Sequence, residues 1–220
     1  MLRASPHLQG YSIPGVEQRL IINLFADDTV LYLSAEDRYD TVHKILTSWC
    51  AASGAKFNIG KTEIIPIGSV AHRQRVITSR KLHTNDDTPI NQSIHIAADG
   101  TAIRSLGAWI GNEINNAQPW EPTLDKIRSR LTQWLLGHPT IFGKRHVVQM
   151  VVGGMSQYLT RVQGMPRHIE TAIVKEIRAF MWPDSARNAP IALKHLYRPR
   201  NEGGIGLLNV PARNAAIELT

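Results

Sequence analysis

Apolar positions in the first part of the chain occur in short runs, which is the pattern of β-strands. The run "RLIINLF" at residues 19–25 and the run "TVLYL" at residues 29–33 are separated only by "ADD". Two strands this close in sequence are joined by a tight turn, in which aspartate is a common residue. The sequence therefore predicts a β-hairpin with Asp27 and Asp28 at its tip.

A helix is predicted after this hairpin, because apolar residues return at helical spacing. The residues of this stripe are Val42, Ile45, Leu46, Trp49 and Cys50. Ser34 and Asp37 stand three residues apart, which is the spacing of a capping box, and Gly54 is a suitable residue for the end of the helix. We expect the Cys50 thiol to be buried and unreactive on this stripe.

The segment from residue 55 to residue 111 mixes predicted strands with polar stretches. "TEIIPI" at residues 62–67 predicts a strand that Pro66 places at a sheet edge or ends early. Residues 69–91 lose the apolar periodicity and predict a surface excursion of roughly twenty residues. "SIHIAADGTAIRSLGAWIG" predicts a hairpin turning at Asp99-Gly100, followed by a strand that ends near Ile110.

Helical periodicity dominates after Gly111. The first helix is predicted from an apolar stripe formed by Leu124, Ile127, Leu131, Trp134 and Leu135. A second helix is predicted over residues 142–158, with Gly153-Gly154 as a weak point, and a third over residues 166–182. The third helix has one apolar face, formed by Ile169, Ile173, Ile177 and Phe180.

The last thirty residues predict a short strand, a basic turn and another strand in "PIALKHLYRPRNEGGIGLLNV", then a helix with Pro211 near its start. The pattern as a whole predicts an α+β fold with a soft boundary near Gly111. We expect a strand-rich domain over residues 1–110 and a helical domain over residues 111–220.

The charge balance favours a polyanionic partner. The chain carries 25 Lys and Arg against 18 Asp and Glu, a formal charge of +7 and a pI near 9.8. Nucleic acid is the first candidate and an anionic membrane surface the second. Cys50 is the only cysteine, which excludes an internal disulfide and a cysteine-based zinc site and fits a reducing compartment.

No membrane span or signal peptide is predicted. The longest apolar stretch, "VVQMVVGGM", is about half of the ~20 residues that a bilayer span requires. The N-terminus lacks a basic region followed by an apolar core. We therefore expect no membrane partner and an intracellular location, nuclear or cytoplasmic.

The adjacent carboxylates of Asp27 and Asp28 are the first candidates for chemistry. Two like charges on a rigid hairpin repel each other, and a divalent cation would relieve that repulsion. Carboxylate oxygens suit hard ions such as Mg²⁺, which keeps positions open for phosphate oxygens. When the dipeptide is considered alone, a solvated polar turn is the better explanation, because aspartate is a common turn residue.

The flanking sequence and four further segments resemble the reverse transcriptases of non-LTR (LINE-like) retrotransposons. An apolar strand, Phe-Ala-Asp-Asp and a second apolar strand resemble the second catalytic motif of that family. The other segments follow in the family's order over residues 20–220. They are "SGAKFNIGKTEIIPIG", "SLGAWIG", "PTIFGKRHVVQMVV" and "FMWPDSARNAPIALKHLYRPRNEGGIGLLNV".

The resemblance implies an RNA-directed DNA polymerase that uses two Mg²⁺ ions, with a partial palm followed by a helical thumb and connector. It makes Asp27 the more essential metal ligand and Asp28 a supporting one. It places Lys61 near the incoming deoxynucleotide and Leu106 and Gly107 at the primer grip.

The chain also departs from the family's pattern. The fingers and another catalytic aspartate precede the Phe-Ala-Asp-Asp hairpin in the family, whereas 24 residues precede Phe25 here. We therefore expect weak or no Mg²⁺ binding, no polymerisation by this chain alone, and deoxynucleotide binding only if fingers are supplied. We also expect the strand-rich half to expose apolar sheet and the helical half to be the more stable.

The resemblance assigns a set of basic residues to the thumb, which grips the template–primer duplex in the family. They are Lys126, Arg128, Arg130, Lys144 and Arg145. Phosphate contacts by such side chains need no base sequence, so an RNA template and an RNA–DNA duplex are the expected partners. A solvated outer face explains each residue alone, and an ordinary basic interaction domain remains the alternative for the chain.

Overall fold

The computed structural model describes residues 1–184 and 188–219, which form an α+β structure as the apolar pattern predicts. The chain divides into two compact units. Unit 1 consists of Met1–Leu106 and Ile110–Ile114, and unit 2 consists of Gly107–Trp109 and Asn115–Thr220. All strands of the described residues precede residue 115, where two helices also lie, and the described residues after it form helices and loops.

The strands of the described residues form three two-stranded sheets. The first is the predicted antiparallel hairpin, and the second is a parallel pair of two-residue strands. In order, the pairs are β1 (Ile22–Phe25) with β2 (Asp28–Leu31), β3 (Glu63–Ile64) with β4 (His95–Ile96), and β5 (Ile103–Ser105) with β6 (Ala108–Ile110).

Two strand predictions need correction. The strand expected at residues 62–67 is only β3 and ends before Pro66, which cannot donate to a ladder. The hairpin expected around Asp99-Gly100 is wrong, although the turn forms and the Thr101 backbone N–H donates to the Ala98 carbonyl at 3.0 Å. The reason is that β4 pairs with β3, while β5 pairs with β6 through a two-residue connection.

Unit 1 contains two helices, α1 (Tyr39–Ser53) and α2 (Val70–Ser79). The predicted stop of α1 is confirmed, because Gly54 follows it with a φ of 73° and donates to the Cys50 carbonyl at 2.9 Å. Cys50 itself is half-buried, so the prediction of a buried thiol is wrong.

The prediction of an irregular excursion over residues 69–91 is wrong, since α2 lies there. The Ser69 hydroxyl caps this helix by accepting the His72 backbone N–H at 3.3 Å. The buried residues of α2 are Arg73 and Val76 only. An apolar repeat this sparse gives almost no helical signal in the sequence.

Asp37 is a buried anchor of unit 1 and not part of a capping box, because α1 starts after Arg38 with no side-chain cap. Its side chain is 1% exposed. The carboxylate accepts backbone N–H groups from Gln9 at 2.6 Å, Gly10 at 2.9 Å and Ser34 at 2.8 Å. It therefore fastens the N-terminal segment to the start of α1.

The buried arginine Arg73 links α2 to two acidic residues later in unit 1. Arg73 bonds both oxygens of Asp99, at 2.7 and 2.8 Å, and Glu113 at 2.9 Å. It also donates to the Gly68 carbonyl at 2.6 Å. The apolar cluster beside it is small and consists of the buried residues Val76, Ile90, Ile94 and Ile96.

Unit 2 is predominantly helical, and its elements confirm the predicted first, second, third and last helices. The bounds are α3 (Trp120–Leu135), α4 (Ile141–Val148), α5 (Gly154–Gln163), α6 (Arg167–Met181), α7 (Leu193–Leu196) and α8 (Val210–Glu218). A π-helical segment, Gln149–Gly153, joins α4 to α5 without a break and lies beside the weak point predicted at Gly153-Gly154.

One large apolar core holds unit 2 together. Ile173, Ile177 and Phe180 on α6 are at most 1% exposed and pack among buried residues of α3, the π-helical segment and α8. Trp134 is 45% exposed, so its assignment to the buried stripe of α3 is wrong. Among the described residues, no helix has the length and apolar character needed to cross a bilayer.

The two strands predicted at residues 190–210 are wrong, whereas the turn predicted between them forms. This region forms α7, a 3₁₀ turn at Arg200–Glu202 and a hydrogen-bonded loop. Its apolar residues Leu193, Leu196, Ile205 and Leu207 are buried in the helical core and not in a sheet. Short apolar runs do not distinguish these two kinds of burial.

Candidate nucleic-acid interface and acidic hairpin

Asp27 and Asp28 lie at the tip of the β1–β2 hairpin, where the sequence predicts them. Phe25 pairs with Asp28, so only Ala26 and Asp27 form the turn. Ala26 has a φ of 53°, the left-handed value that the first central position of a primed two-residue turn requires. Both aspartates are exposed, and so are Leu24 and Phe25, which are 64% and 66% exposed.

The base of this hairpin is fixed by pairing on both sides. The Tyr32 backbone N–H donates to the Ile21 carbonyl at 2.9 Å and extends the ladder beyond β1 and β2. On the opposite side, Leu20 and Tyr11 exchange two backbone hydrogen bonds of 2.8 Å. The two carboxylates are therefore presented to solvent from an ordered base.

The acidic tip provides a minimal set of oxygen ligands. In residues 1–184 and 188–219, no group of three or more His, Cys, Asp and Glu side chains is placed to hold a metal ion. Mg²⁺ is commonly held by one or two carboxylates together with substrate phosphates and water. Asp27 and Asp28 fit that donor set only where phosphate oxygens complete it.

Lys61 lies in the same unit at the end of a 3₁₀ turn, Ile59–Lys61. Its backbone N–H donates to the Asn58 carbonyl at 3.1 Å, and the residue is exposed. Within the described residues, Lys61 has no hydrogen bond or ion pair with Asp27 or Asp28. The structure therefore does not bring the predicted nucleotide residue into contact with the acidic tip.

Leu106 and Gly107 form the two-residue connection between β5 and β6, with φ values of 48° and 83°. Two positive φ values in succession match a type I′ turn, which favours glycine at its second position. A Cβ atom at Gly107 would lie 2.9 Å from Cε1 of Tyr158 on α5. Leu106 is 39% exposed.

The segment after Gly107 is held in unit 2 by one side-chain amide. The Gln163 amide accepts the Trp109 backbone N–H at 2.9 Å and donates to the Trp109 carbonyl at 2.9 Å. It makes the two bonds that a neighbouring strand would make. The primer-grip assignment stays a prediction, and its turn has a well-defined conformation.

The α3 residues that are predicted to contact a duplex differ in whether they form ion pairs with acidic side chains. Lys126 and Arg130 are exposed, and Arg130 donates to Gln133 on the same helix at 3.3 Å. Arg128 is paired with Glu176 at 2.8 Å and with Asp125 at 3.3 Å. Hydrogen bonding to Glu176 raises the pKa of the Arg128 guanidinium. Both acidic partners of Arg128 lie in unit 2.

The predicted duplex residues of α4 also make internal contacts. Lys144 donates to the Met181 carbonyl at 3.0 Å, and its Nζ lies 6.0 Å from the centroid of the Phe180 ring. Burial lowers the pKa of Lys144, with an opposing effect from Asp184. Arg145 donates through Nε to the Gly206 carbonyl at 3.2 Å.

The structure adds basic and aromatic residues that the sequence did not assign to the thumb set. The Arg200 guanidinium lies 5.0 Å from the centroid of the exposed Phe142 ring. Arg198 and Arg200 are exposed and flank the turn that leads to Gly206. Their sequence, "RPRNEGG", predicts a turn between strands, with approach of the glycine backbone to phosphate as the alternative, and nothing in it indicates contact with α4.

The candidate residues are thus distributed over both units. Asp27, Asp28, Lys61 and Leu106 belong to unit 1, and the basic helical residues belong to unit 2. Residues 115–220 carry 14 Lys and Arg against seven Asp and Glu, whereas residues 1–114 carry 11 of each. The formal positive charge of the chain therefore lies in its helical part. No protein-family model and no curated protein matches this chain.

Proposed function

We propose that the chain is a fragment of an RNA-directed DNA polymerase of the non-LTR retrotransposon type, which retains nucleic-acid binding and does not polymerise alone. The observation that supports this most is the presentation of Asp27 and Asp28 at a two-residue turn between paired strands. The Phe-Ala-Asp-Asp resemblance requires that geometry. A helical position or a site far from a sheet would have removed the basis of the proposal.

The same two side chains are the proposed ligands of Mg²⁺. Asp27 and Asp28 would hold Mg²⁺ together with phosphate oxygens of a bound nucleotide or primer. In a complete site, two Mg²⁺ ions would stabilise the charge on the attacking and leaving oxygens of a phosphoryl transfer. The two exposed carboxylates here would orient such an ion without supplying enough ligands to retain it.

Polymerase activity is the direct test of the catalytic part. We expect the purified chain to show no template-dependent incorporation with an RNA template, a DNA primer, deoxynucleotides and Mg²⁺. Incorporation that is lost in Asp27→Asn and retained in the exposed control Glu36→Gln would overturn the inactivity that we propose.

Nucleic-acid binding is supported by the charge of residues 115–220 and by the exposure of Lys126 and Arg130 on α3. Each phosphate contact on a duplex changes the slope of log K against log salt by about 0.9. Reversal of both charges should therefore lower the salt slope by about 2 for an RNA–DNA duplex.

The binding test uses the pair Lys126→Glu and Arg130→Glu, measured by fluorescence anisotropy at several salt concentrations. Arg128 is left unchanged, because its reversal would also break the ion pair with Glu176. The matched control reverses Arg161 and Arg167, two exposed arginines on α5 and α6. Equal losses in both variants, or binding indifferent to salt, would contradict a specific role of α3.

An ordinary basic interaction domain is the alternative function. It predicts a hairpin that tolerates loss of both carboxylates and a surface that binds no nucleic acid at physiological salt. Salt-dependent duplex binding by the wild-type chain distinguishes the two.

A further inference from the structure

A basic and aromatic surface in unit 2 is formed by Phe142 and Arg145 of α4 and by Arg198 and Arg200 of the loop after α7. Only Arg145 among these four belongs to the predicted thumb residues. We call this surface the α4–loop surface. The contacts that join its parts are Arg200 over Phe142, at 5.0 Å, and Arg145 to the Gly206 carbonyl, at 3.2 Å. It combines cations with an exposed aromatic ring, and none of the thumb residues on α3 belongs to it.

The loop that carries the two arginines is held in one conformation by its own backbone. The Gly206 backbone N–H donates to the Arg198 carbonyl at 2.8 Å, and the Leu207 backbone N–H donates to the Leu196 carbonyl at 3.0 Å. A Cβ atom at Gly204 would overlap the Arg198 carbonyl oxygen. The chain therefore returns close to α7, and Arg198 and Arg200 extend from a fixed turn.

The charges of this surface are not neutralised by acids in the described part of the chain. Across residues 1–184 and 188–219, no ion pair joins a carboxylate to Arg145, Arg198 or Arg200, in contrast to Arg128 on α3. Arg145 uses its Nε for a carbonyl, which leaves its net charge unopposed. A surface of uncompensated guanidinium groups attracts phosphate oxygens.

The Phe142–Arg200 pair favours a single strand over a duplex. Phe142 is 47% exposed, and the Arg200 guanidinium lies over its ring, so that an aromatic ring and a cation are presented together to an unpaired base. Proteins that hold single strands combine such stacking platforms with cations that follow the backbone. Bases inside a duplex are already stacked and do not offer their faces.

We propose that the α4–loop surface binds single-stranded nucleic acid, with a base stacked on the Phe142–Arg200 pair and backbone phosphates on Arg145 and Arg198. The proposal deepens the proposed function and rests on its nucleic-acid contact. It assigns an unpaired strand to Arg145 of the predicted thumb residues and to three residues outside that set, whereas α3 is assigned to the duplex.

The test measures binding of a labelled single-stranded RNA and of an RNA–DNA duplex to the full chain, by anisotropy over a salt series. The first variant, Phe142→Leu, keeps an apolar side chain and removes the ring. We expect it to weaken single-strand binding about 5- to 150-fold, the range for loss of one stacked base. Duplex binding should change by less than about twofold.

The second variant, Arg198→Gln with Arg200→Gln, removes two charges and keeps polar, uncharged side chains at both positions. We expect the salt slope for the single strand to fall by about 0.7, because each phosphate contact contributes about 0.7 and only Arg198 of the two is assigned one. Loss of the Arg200 guanidinium should also weaken stacking of the base. The matched control, Arg161→Gln with Arg167→Gln, removes the same charge from exposed positions on α5 and α6 and should leave the slope near that of the wild type.

The outcomes separate the two proposals. Wild-type binding to neither probe would overturn both the proposed nucleic-acid function and this inference. Two results would overturn the inference alone. One is duplex binding by the wild type without single-strand binding, and the other is single-strand binding that is as strong in Phe142→Leu as in the wild type. Far-UV circular dichroism and urea midpoints equal to those of the wild type ensure that each variant is folded. The single substitution and both pairs are at exposed positions chosen for that purpose.

Discussion

Removal of the Asp37 carboxylate should destabilise unit 1 more than any other single polar substitution near its N-terminus. Three backbone N–H groups, from Gln9, Gly10 and Ser34, donate to this one buried side chain. Asp37→Ala leaves three donors without their acceptor, and each hydrogen bond to a charged group contributes about 1.5–3 kcal/mol. Because such contributions are not additive and water can enter, we expect a loss of about 3–5 kcal/mol in the free energy of unfolding.

Asp37→Asn should have a free energy of unfolding between those of the wild type and Asp37→Ala, because an asparagine can keep some of the three hydrogen bonds. The Asp37 Oδ2 atom accepts Gly10 and Ser34, and Oδ1 accepts Gln9 alone. An asparagine whose carbonyl replaces Oδ2 keeps two of the three bonds and turns its NH₂ group toward the Gln9 N–H. We expect this variant to lose about 1–3 kcal/mol, less than Asp37→Ala.

Urea unfolding of the full chain gives the free energies, and amide hydrogen exchange at Gln9, Gly10 and Ser34 gives a local readout. These three amides should lose protection in both variants, in the order of the predicted losses. The exposed neighbour Glu36→Ala serves as control and should stay within about 0.5 kcal/mol of the wild type. Unchanged stability and unchanged exchange in Asp37→Ala would refute the role of this carboxylate as an anchor.

Three further predictions concern glycine positions, acid stability and the order of unfolding. Gly154→Ala should stabilise unit 2 by about 0.5–1 kcal/mol in urea unfolding, because Gly154 is helical and a Cβ there meets no atom within 4 Å. Gly204→Ala should lower the stability, because its Cβ would overlap the Arg198 carbonyl. A Gly204→Ala variant more stable than Gly154→Ala would contradict this geometry. Hydrogen bonds from the Thr88 hydroxyl and the Asp87 backbone N–H lower the pKa of Asp40 from its ordinary 3.8, so its carboxylate stabilises the fold above that pH and the contribution disappears as the pH falls through the lower folded pKa. The difference in urea midpoint between wild type and Asp40→Asn should therefore narrow between pH 7 and pH 3, and a constant difference would exclude this cause. Thermal unfolding should show two transitions, with unit 1 melting first because its buried apolar cluster is much the smaller, and one cooperative transition seen by both calorimetry and exchange would argue against this order.

The sequence predicted elements whose signal is local and repeated. Ile169, Ile173, Ile177 and Phe180 mark α6 because four apolar residues at helical spacing leave no other arrangement that buries them together. The Asp-bearing hairpin was predictable for a similar reason, since two apolar runs three residues apart can pair only by turning back.

The errors arose where long-range packing decided the structure. Helix α2 buries an arginine where an apolar residue would be expected, and Arg73 can be there only because Asp99 and Glu113, distant in sequence, neutralise it. Leu193, Leu196, Ile205 and Leu207 look like strand residues but fill a helical core. The contact between Arg200 and Phe142 joins positions 58 residues apart, so no local pattern could indicate it.

The π-helical segment between α4 and α5 allows unit 2 to tolerate a one-residue deletion. Val148, Val152, Ser156 and Thr160 are at most 4% exposed, although a four-residue step in an α-helix overshoots a full turn by about 40°. The wider π turn rotates the chain back, so residues on both sides of it remain on the same buried line. A single residue lost from Gln149–Gly153 would convert the bulge into ordinary helix and leave the downstream face oriented as before, which makes this short stretch the place in unit 2 best able to absorb a one-residue deletion.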